Sequence, residues 1–156
     1  MAHERTLVIL KPDAVNRGLV GEITKRFENK GLKIVAMKME HLKEKKLIEH
    51  YGHHKDKKFF GELIKFMSSV PSVLLVLEGK DCVAVVRKMC GATSGRDAEL
   101  GTIRGDFSMS IQVNTIHASG SVEEAKAEVK RFFSENEILE YQTMNSDWIY
   151  SLDEKK

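Results

Sequence analysis

Apolar positions along the 156-residue chain fall into two kinds of pattern. Short unbroken runs, Thr6-Leu7-Val8-Ile9-Leu10 and Val73-Leu74-Leu75-Val76-Leu77, predict strands buried on both faces. Leu32 to Met39 (LKIVAMKM) predicts another strand, built on β-branched and methionine positions. Helical spacing fills the intervals. Val20, Ile23 and Phe27 share a helix face that Gly31 closes as a C-cap, after a turn bracketed by Gly18 and Gly21. His41 to His54 reads as a polar helical segment around Leu42, Leu47, Ile48 and Tyr51. Phe59 to Ser68 follows after the charged break Lys55-Asp56-Lys57-Lys58, with Phe60, Leu63, Ile64 and Met67 inward. Asp81 is placed to cap a helix with the stripe Val83, Val86 and Cys90. The last helix runs from Ser121 to about Phe133 on Val122, Ala125, Val129, Phe132 and Phe133. Ser121-Val122-Glu123-Glu124 opens it with a capping signature. Alternating strands and helices without repeats or linkers predict one α/β (α+β) sandwich domain over residues 1–156. The tail, 136–156, carries Trp148 and Tyr150 and is expected to pack on the domain or on a neighbouring subunit.

Composition narrows the class. Hydrophobic residues are 42% and charged residues 31%, the balance of a globular chain rather than a disordered one. Lys+Arg is 25 and Asp+Glu is 23, and a net charge of +2 argues against a dedicated nucleic-acid binder. No apolar run approaches the length of a membrane span, and Met1-Ala2-His3-Glu4-Arg5 has no signal-peptide pattern. Cys82 and Cys90 are too few for a disulfide framework and read as free thiols of a reducing, cytoplasmic compartment.

Chemistry concentrates at Asn114-Thr115-Ile116-His117-Ala118-Ser119-Gly120-Ser121. This stretch delivers His117 to the end of an extended segment, just before a helix N-terminus. Backbone N–H groups and the helix dipole there favour anions, so His117 is a candidate nucleophile or base acting on a charged group. The alternative is a strand-end histidine that is solvated or bonded to a backbone carbonyl. Pro12 ends the first strand and leaves Lys11 beside a rigid turn. Gly91 to Gly105 is a glycine-rich loop of a length that is often functional. Near its end, Arg104 can offer its fork to an anion, or close the loop on Asp97 or Asp106. Glu128 falls at the edge of the last helix's apolar stripe, where a carboxylate needs a partner; His117 is a plausible one. Phe59 sits just before its helix face and either packs or projects into a cleft.

Taken together, Lys11-Pro12-Asp13, Tyr51, Phe59-Phe60, Arg87, Thr93, Gly101-Thr102-Ile103-Arg104-Gly105-Asp106-Phe107 and Asn114-x-Ile-His117-Ala118-Ser119 resemble the nucleoside diphosphate kinases in order and spacing. The resemblance runs from Glu4 to about Tyr150. It implies a ferredoxin-like fold, a four-stranded antiparallel sheet with helices on one face. It implies transfer of the γ-phosphate of a nucleoside triphosphate to a nucleoside diphosphate through a phosphohistidine, with Mg²⁺ accompanying the nucleotide. By the same resemblance His117 is the nucleophile, and Glu128 and Ser119 orient it. Lys11, Arg87, Thr93 and Arg104 hold phosphates, and Asn114 with Lys11 reaches the sugar 3′-hydroxyl region. Phe59 stacks on the base, Ile111 covers its other face, and Leu63 lines its edge. Tyr51 steadies Lys11. Stacking on an aromatic ring tolerates any base. The resemblance also implies a homo-oligomer, a hexamer by the length of the tail, with tetramer and dimer as the other family assemblies.

The chain departs from that pattern in places. Gly120 stands where the family usually has aspartate, Gly95 and Leu100 where it usually has prolines, and Ala118 where glycine is commoner. Fewer prolines predict a looser loop and a weaker assembly. These departures motivate the alternative of a catalytically weakened nucleotide-binding scaffold.

Overall fold

The computed structural model describes residues 3–143 and 146–154; the first two and last two residues, and Met144 and Asn145 of the tail, lie outside the described residues. Four strands, β1 (Glu4–Leu10), β2 (Lys33–Glu40), β3 (Ser72–Gly79) and β4 (Ile116–Ala118), form one sheet in the order β2-β3-β1-β4. Every pairing is antiparallel. The strands are joined and followed by helices α1 (Pro12–Asn16), α2 (Val20–Lys30), α3 (Glu44–His50), α4 (Phe60–Met67), α5 (Cys82–Cys90), α6 (Ile103–Phe107), α7 (Val122–Phe132) and α8 (Ser146–Ile149). This is the expected ferredoxin-like arrangement.

Helices cover both faces of the sheet rather than one. Strand side chains alternate between faces. Leu7 and Ile9 of β1 and Leu74 and Val76 of β3 pack with Leu47, Leu63, Ile64, Met67, Val129 and Phe132 from α3, α4 and α7. Val8, Leu10, Val73, Leu75 and Leu77 pack the other way, on Ala14, Ile23, Phe27, Val86 and Cys90 from α1, α2 and α5. The unbroken apolar runs of β1 and β3 are the consequence: neither face meets water.

Local chemistry explains most boundaries. Pro12 ends β1 but also opens α1, where its missing N–H is no loss. Gly18, at φ 67°, and Gly31, at φ 91°, make the left-handed turns on either side of α2, whereas Gly21 lies inside it. The polar segment after β2 is shorter than expected, α3 followed by a 3₁₀ turn over Gly52–His54. Asp81 occupies the N-cap position of α5, yet its side chain makes no cap bond. Glu4 supplies a substitute by accepting the Val83 N–H at 3.3 Å. The residue between Ile34 and Ala36 is skipped in the β2–β3 register, a bulge at Val35. The tail crosses here, with the Leu139 N–H donating to the Val35 carbonyl and the Tyr141 hydroxyl to Ile34.

Candidate active site

Register places the nucleophile candidate. His117 lies opposite Ile9 on the edge strand β4, so it shares the face covered by α3 and α7. From α7, Glu128 Oε2 lies 3.0 Å from His117 Nε2 and accepts the Ser119 hydroxyl at 2.6 Å. Ser119 is fully buried and tied to β1, its N–H donating to the Leu7 carbonyl and its hydroxyl oxygen accepting the Leu7 N–H. Burial alone would raise the Glu128 pKa. The hydrogen bonds and charge of His117, with Ser119 and His50, outweigh it and hold the carboxyl at about 2. A carboxylate only accepts, so Nε2 of His117 carries the proton and Nδ1 is left as the basic nitrogen.

Two aromatic neighbours frame that ring. His50 meets it edge to face at 4.8 Å between centroids, and Tyr51 at 6.1 Å. Burial and the neighbouring His117 push the His50 pKa down to about 3, so it is a neutral wall. Sequence reasoning passed over His50, since it reads as one more polar residue in a polar helix.

Cationic and amide groups gather at the ends of β1 and α6. Lys11 Nζ donates to Asn114 Oδ1 at 2.6 Å, and Asn114 Nδ2 donates to the Thr93 carbonyl at 2.8 Å. Burial and the Arg104 charge lower the Lys11 pKa to about 8, against the pull of Asp13. Arg104 does not pair with Asp97 or Asp106. Its Nε, Nη1 and Nη2 donate to the carbonyls of Asn114, Gly91 and Ile116, while Asp106 pairs with Arg26 at 2.7 Å. Three of five guanidinium N–H donors are thereby committed, and two remain for a ligand. Among the described residues the Tyr51 hydroxyl has no hydrogen bond, so Lys11 is held by Asn114 rather than by Tyr51.

These groups face one cleft of ≈ 1010 Å³, at the upper limit of the usual size of ligand sites. Every candidate residue except Ser119 lines it. Ser119 stands behind Glu128. Phe59 is 41% exposed at the N-cap of α4, Ile111 is 62% exposed, and Leu63 is a buried core residue that also lines the cleft. Phe59 therefore projects instead of packing. His54 lies beside it, 5.5 Å between ring centroids, and the His53 ring is tilted against His54 at 3.9 Å. Sequence reasoning missed both, because nothing in a loop's composition tells which side faces a cleft.

Gly120 is filled by a neighbour. The Glu124 carboxylate accepts the Gly120 N–H at 3.0 Å, while Ser121 Oγ accepts the Glu124 N–H at 3.1 Å. The capping signature closes one residue early, on Gly120 rather than on Ser121. A Cβ at Gly120 would stand 2.5 Å from Glu124 Oε2. The 91–102 loop is tied down as well. The Gly95 N–H donates to the Ser110 carbonyl, a bond that proline could not make.

The family model for nucleoside diphosphate kinase matches residues 4–138. The chain belongs to the nucleoside diphosphate kinase family. It is 50% identical over 147 residues to the nucleoside diphosphate kinase of Methanothermobacter thermautotrophicus, covering 94% of this chain and 98% of that one. It is 52% identical over 150 residues to that of Pyrococcus horikoshii, covering 94% and 95%. Among solved structures, the halophilic nucleoside diphosphate kinase from Halobacterium salinarum, in complex with CDP, superposes with a TM-score of 0.94 at 41% identity, covering 96% of this chain and all of that one. The enzyme from Aquifex aeolicus gives 0.85 at 42% identity, covering 88% and 100%. Membership makes this chain a phosphotransferase. No helix among the described residues is long and apolar enough to cross a membrane.

The donor set around the cleft fits a kinase whose metal travels with its nucleotide. Three carboxylates line the cleft, and each is committed: Glu128 to His117 and Ser119, Glu49 to Arg131, Glu124 to Gly120. Among the described residues, His50, His117 and Glu128 bring possible ligand atoms within 4.8 Å of one another, and the Glu128 carboxylate there is already bonded to His117 and Ser119.

Proposed function

We propose that the cleft moves a phosphoryl group from a nucleoside triphosphate, typically ATP, to a nucleoside diphosphate by a ping-pong route through His117. The observation that carries this is the Glu128 carboxylate on His117 Nε2, which leaves Nδ1 as the basic nitrogen of that ring. In the first half-reaction Nδ1 bonds the γ-phosphorus as its bond to the bridging oxygen breaks, and that oxygen leaves with the electron pair. The second half-reaction runs the same exchange backwards onto another nucleoside diphosphate. Glu128 stabilises the charge that grows on the ring, and Ser119 fixes Glu128. Lys11, Arg87, Thr93 and Arg104 hold the phosphates, since phosphoryl transfer needs positioning and charge more than bonding help. Asn114 serves the sugar hydroxyl with Lys11, and Tyr51 closes the wall behind the phosphate. Phe59 and Ile111 clamp the base, and Leu63 meets its edge. Mg²⁺ on the phosphates supplies charge neutralisation when bound.

A catalytically weakened scaffold finds little support. Gly120 and the altered loop motivate it, but the Glu124 carboxylate accepts the Gly120 N–H and the Gly95 N–H donates to the Ser110 carbonyl. The exposed large apolar side chains Met37, Met39, Leu100, Met109 and Trp148 support a homo-oligomer, and we favour a hexamer. The buried thiols Cys82 and Cys90 support a cytoplasmic protein.

Incubation with ATP and Mg²⁺ is expected to leave one acid-labile phosphate on the chain, on Nδ1 of His117. His117→Ala is expected to take up none, and Glu128→Gln to label on the order of 10²-fold more slowly. A folded wild-type chain whose intact mass ATP leaves unchanged would sink the proposal.

A further inference from the structure

Asn114, Thr115 and Ile116 form a tight turn between the phosphate-holding residues and His117. The Ile116 N–H donates to the Asn114 carbonyl at 2.7 Å, and Thr115 between them has φ 64°. A bond from residue i to i+2 around a positive φ is the rare, strained form of γ-turn. Thr115 is β-branched and fully buried, so neither its own preference nor solvent explains the conformation. Such strain persists only where the surroundings over-determine it.

The surroundings here do. Asp13 Oδ2 accepts the Thr115 N–H at 2.9 Å. The Thr115 carbonyl accepts the Lys11 backbone N–H at 2.9 Å. The Thr115 hydroxyl donates to the Asn114 carbonyl at 2.7 Å, and Ser108 Oγ lies 3.0 Å from it. Asp13 is buried on α1, and its second oxygen has no partner among the described residues. The bond to the Thr115 N–H is the side-chain hydrogen bond that Asp13 makes among the described residues. On one side of the turn Asn114 holds Lys11; on the other Ile116 starts β4 and His117 follows.

We propose that Asp13 is a positioning residue: through the Thr115 turn it sets His117 against the Lys11–Asn114 pair. The proposal rests on His117 as the phosphate acceptor.

The test uses the full chain and measures the single-turnover rate of phosphate uptake from ATP and Mg²⁺, the nucleotide KM, and Tm. Asp13→Ala removes the acceptor and is expected to slow uptake at least about tenfold with KM little changed, as misplaced reacting groups do. Asp13→Asn keeps an oxygen that can accept the Thr115 N–H and is expected to recover most of the rate. Equal losses in Ala and Asn would overturn the proposal, because the Asp13 charge acting on Lys11 would then be what matters. Should Asp13→Ala fail to fold, Asp13→Asn decides alone: a rate near that of the wild type supports the proposal, and a rate at least about tenfold lower at unchanged Tm overturns it. A wild-type chain that takes up no phosphate rejects the His117 reading instead.

Discussion

Lys11 makes activity and stability move in opposite directions with pH. Its pKa is lowered to about 8, first by burial and then by Arg104. Between about 8 and the ordinary 10.5 the unfolded chain binds the extra proton, so this residue's contribution to stability rises with pH. Phosphate holding needs the ammonium, so kcat/KM is expected to fall as pH rises through about 8. Bound phosphates favour the charged form, and the same limb in kcat is expected at higher pH. Steady-state rates against pH, beside thermal melts in the same buffers, check both directions. At this scale the sequence was informative wherever a motif fixed a neighbour. The capping signature and the Glu128 position on its helix wheel anticipated the His117–Glu128 contact. It was silent on Arg104's three carbonyl partners and on the Thr115 turn, because backbone oxygens and φ leave no mark in residue type.

Elements carry the next two predictions. At the start of α7 the Glu124 carboxylate occupies the space a side chain at Gly120 would need. That carboxylate can swing aside, so restoring the family's usual aspartate by Gly120→Asp is expected to lower stability by at most about 1 kcal/mol, the worth of the cap bond it displaces, through like charge rather than crowding. Glu124→Ala in the same chain is expected to offset part of that loss. A double-mutant cycle by urea denaturation reads the coupling, and strict additivity would refute it. At the end of α3, His50 is wedged against Tyr51, His117 and Phe132. Its pKa near 3 lies below the ordinary 6.5, so it stabilises the fold above 6.5 and loses that contribution as pH falls towards 3. His50→Phe is expected to lose less stability than wild type between pH 7 and 4, measured by denaturant midpoint. The core was legible as strands and helices, but not as two faces. An unbroken run such as Val73–Leu77 names no side of the sheet, and only pairing partners assign one.

Across the whole molecule, distant segments fasten the sheet. Glu4 at the chain's start caps α5, and Arg5 of β1 pairs with Glu78 and Glu140. From the tail, the Tyr150 hydroxyl accepts the Lys80 N–H at 3.1 Å, and Glu154 pairs with Lys80 at 2.9 Å. The tail was expected on the domain or on a neighbouring subunit; Tyr141 and Tyr150 bond to this chain, whereas Trp148 is 90% exposed. Where it lands depends on the Val35 bulge, a feature invisible in LKIVAMKM. That landing has a consequence for solubility. β2 is an outer strand, and an open strand edge is a template on which other chains add. The bulge breaks the ladder at Val35, and the Leu139 N–H takes up the carbonyl that a foreign strand would seek. The tail thus acts as a guard against self-association in the wrong register. A chain ending at Ile138 is expected to keep its cleft and bind nucleotide, yet to scatter light and precipitate as its concentration rises.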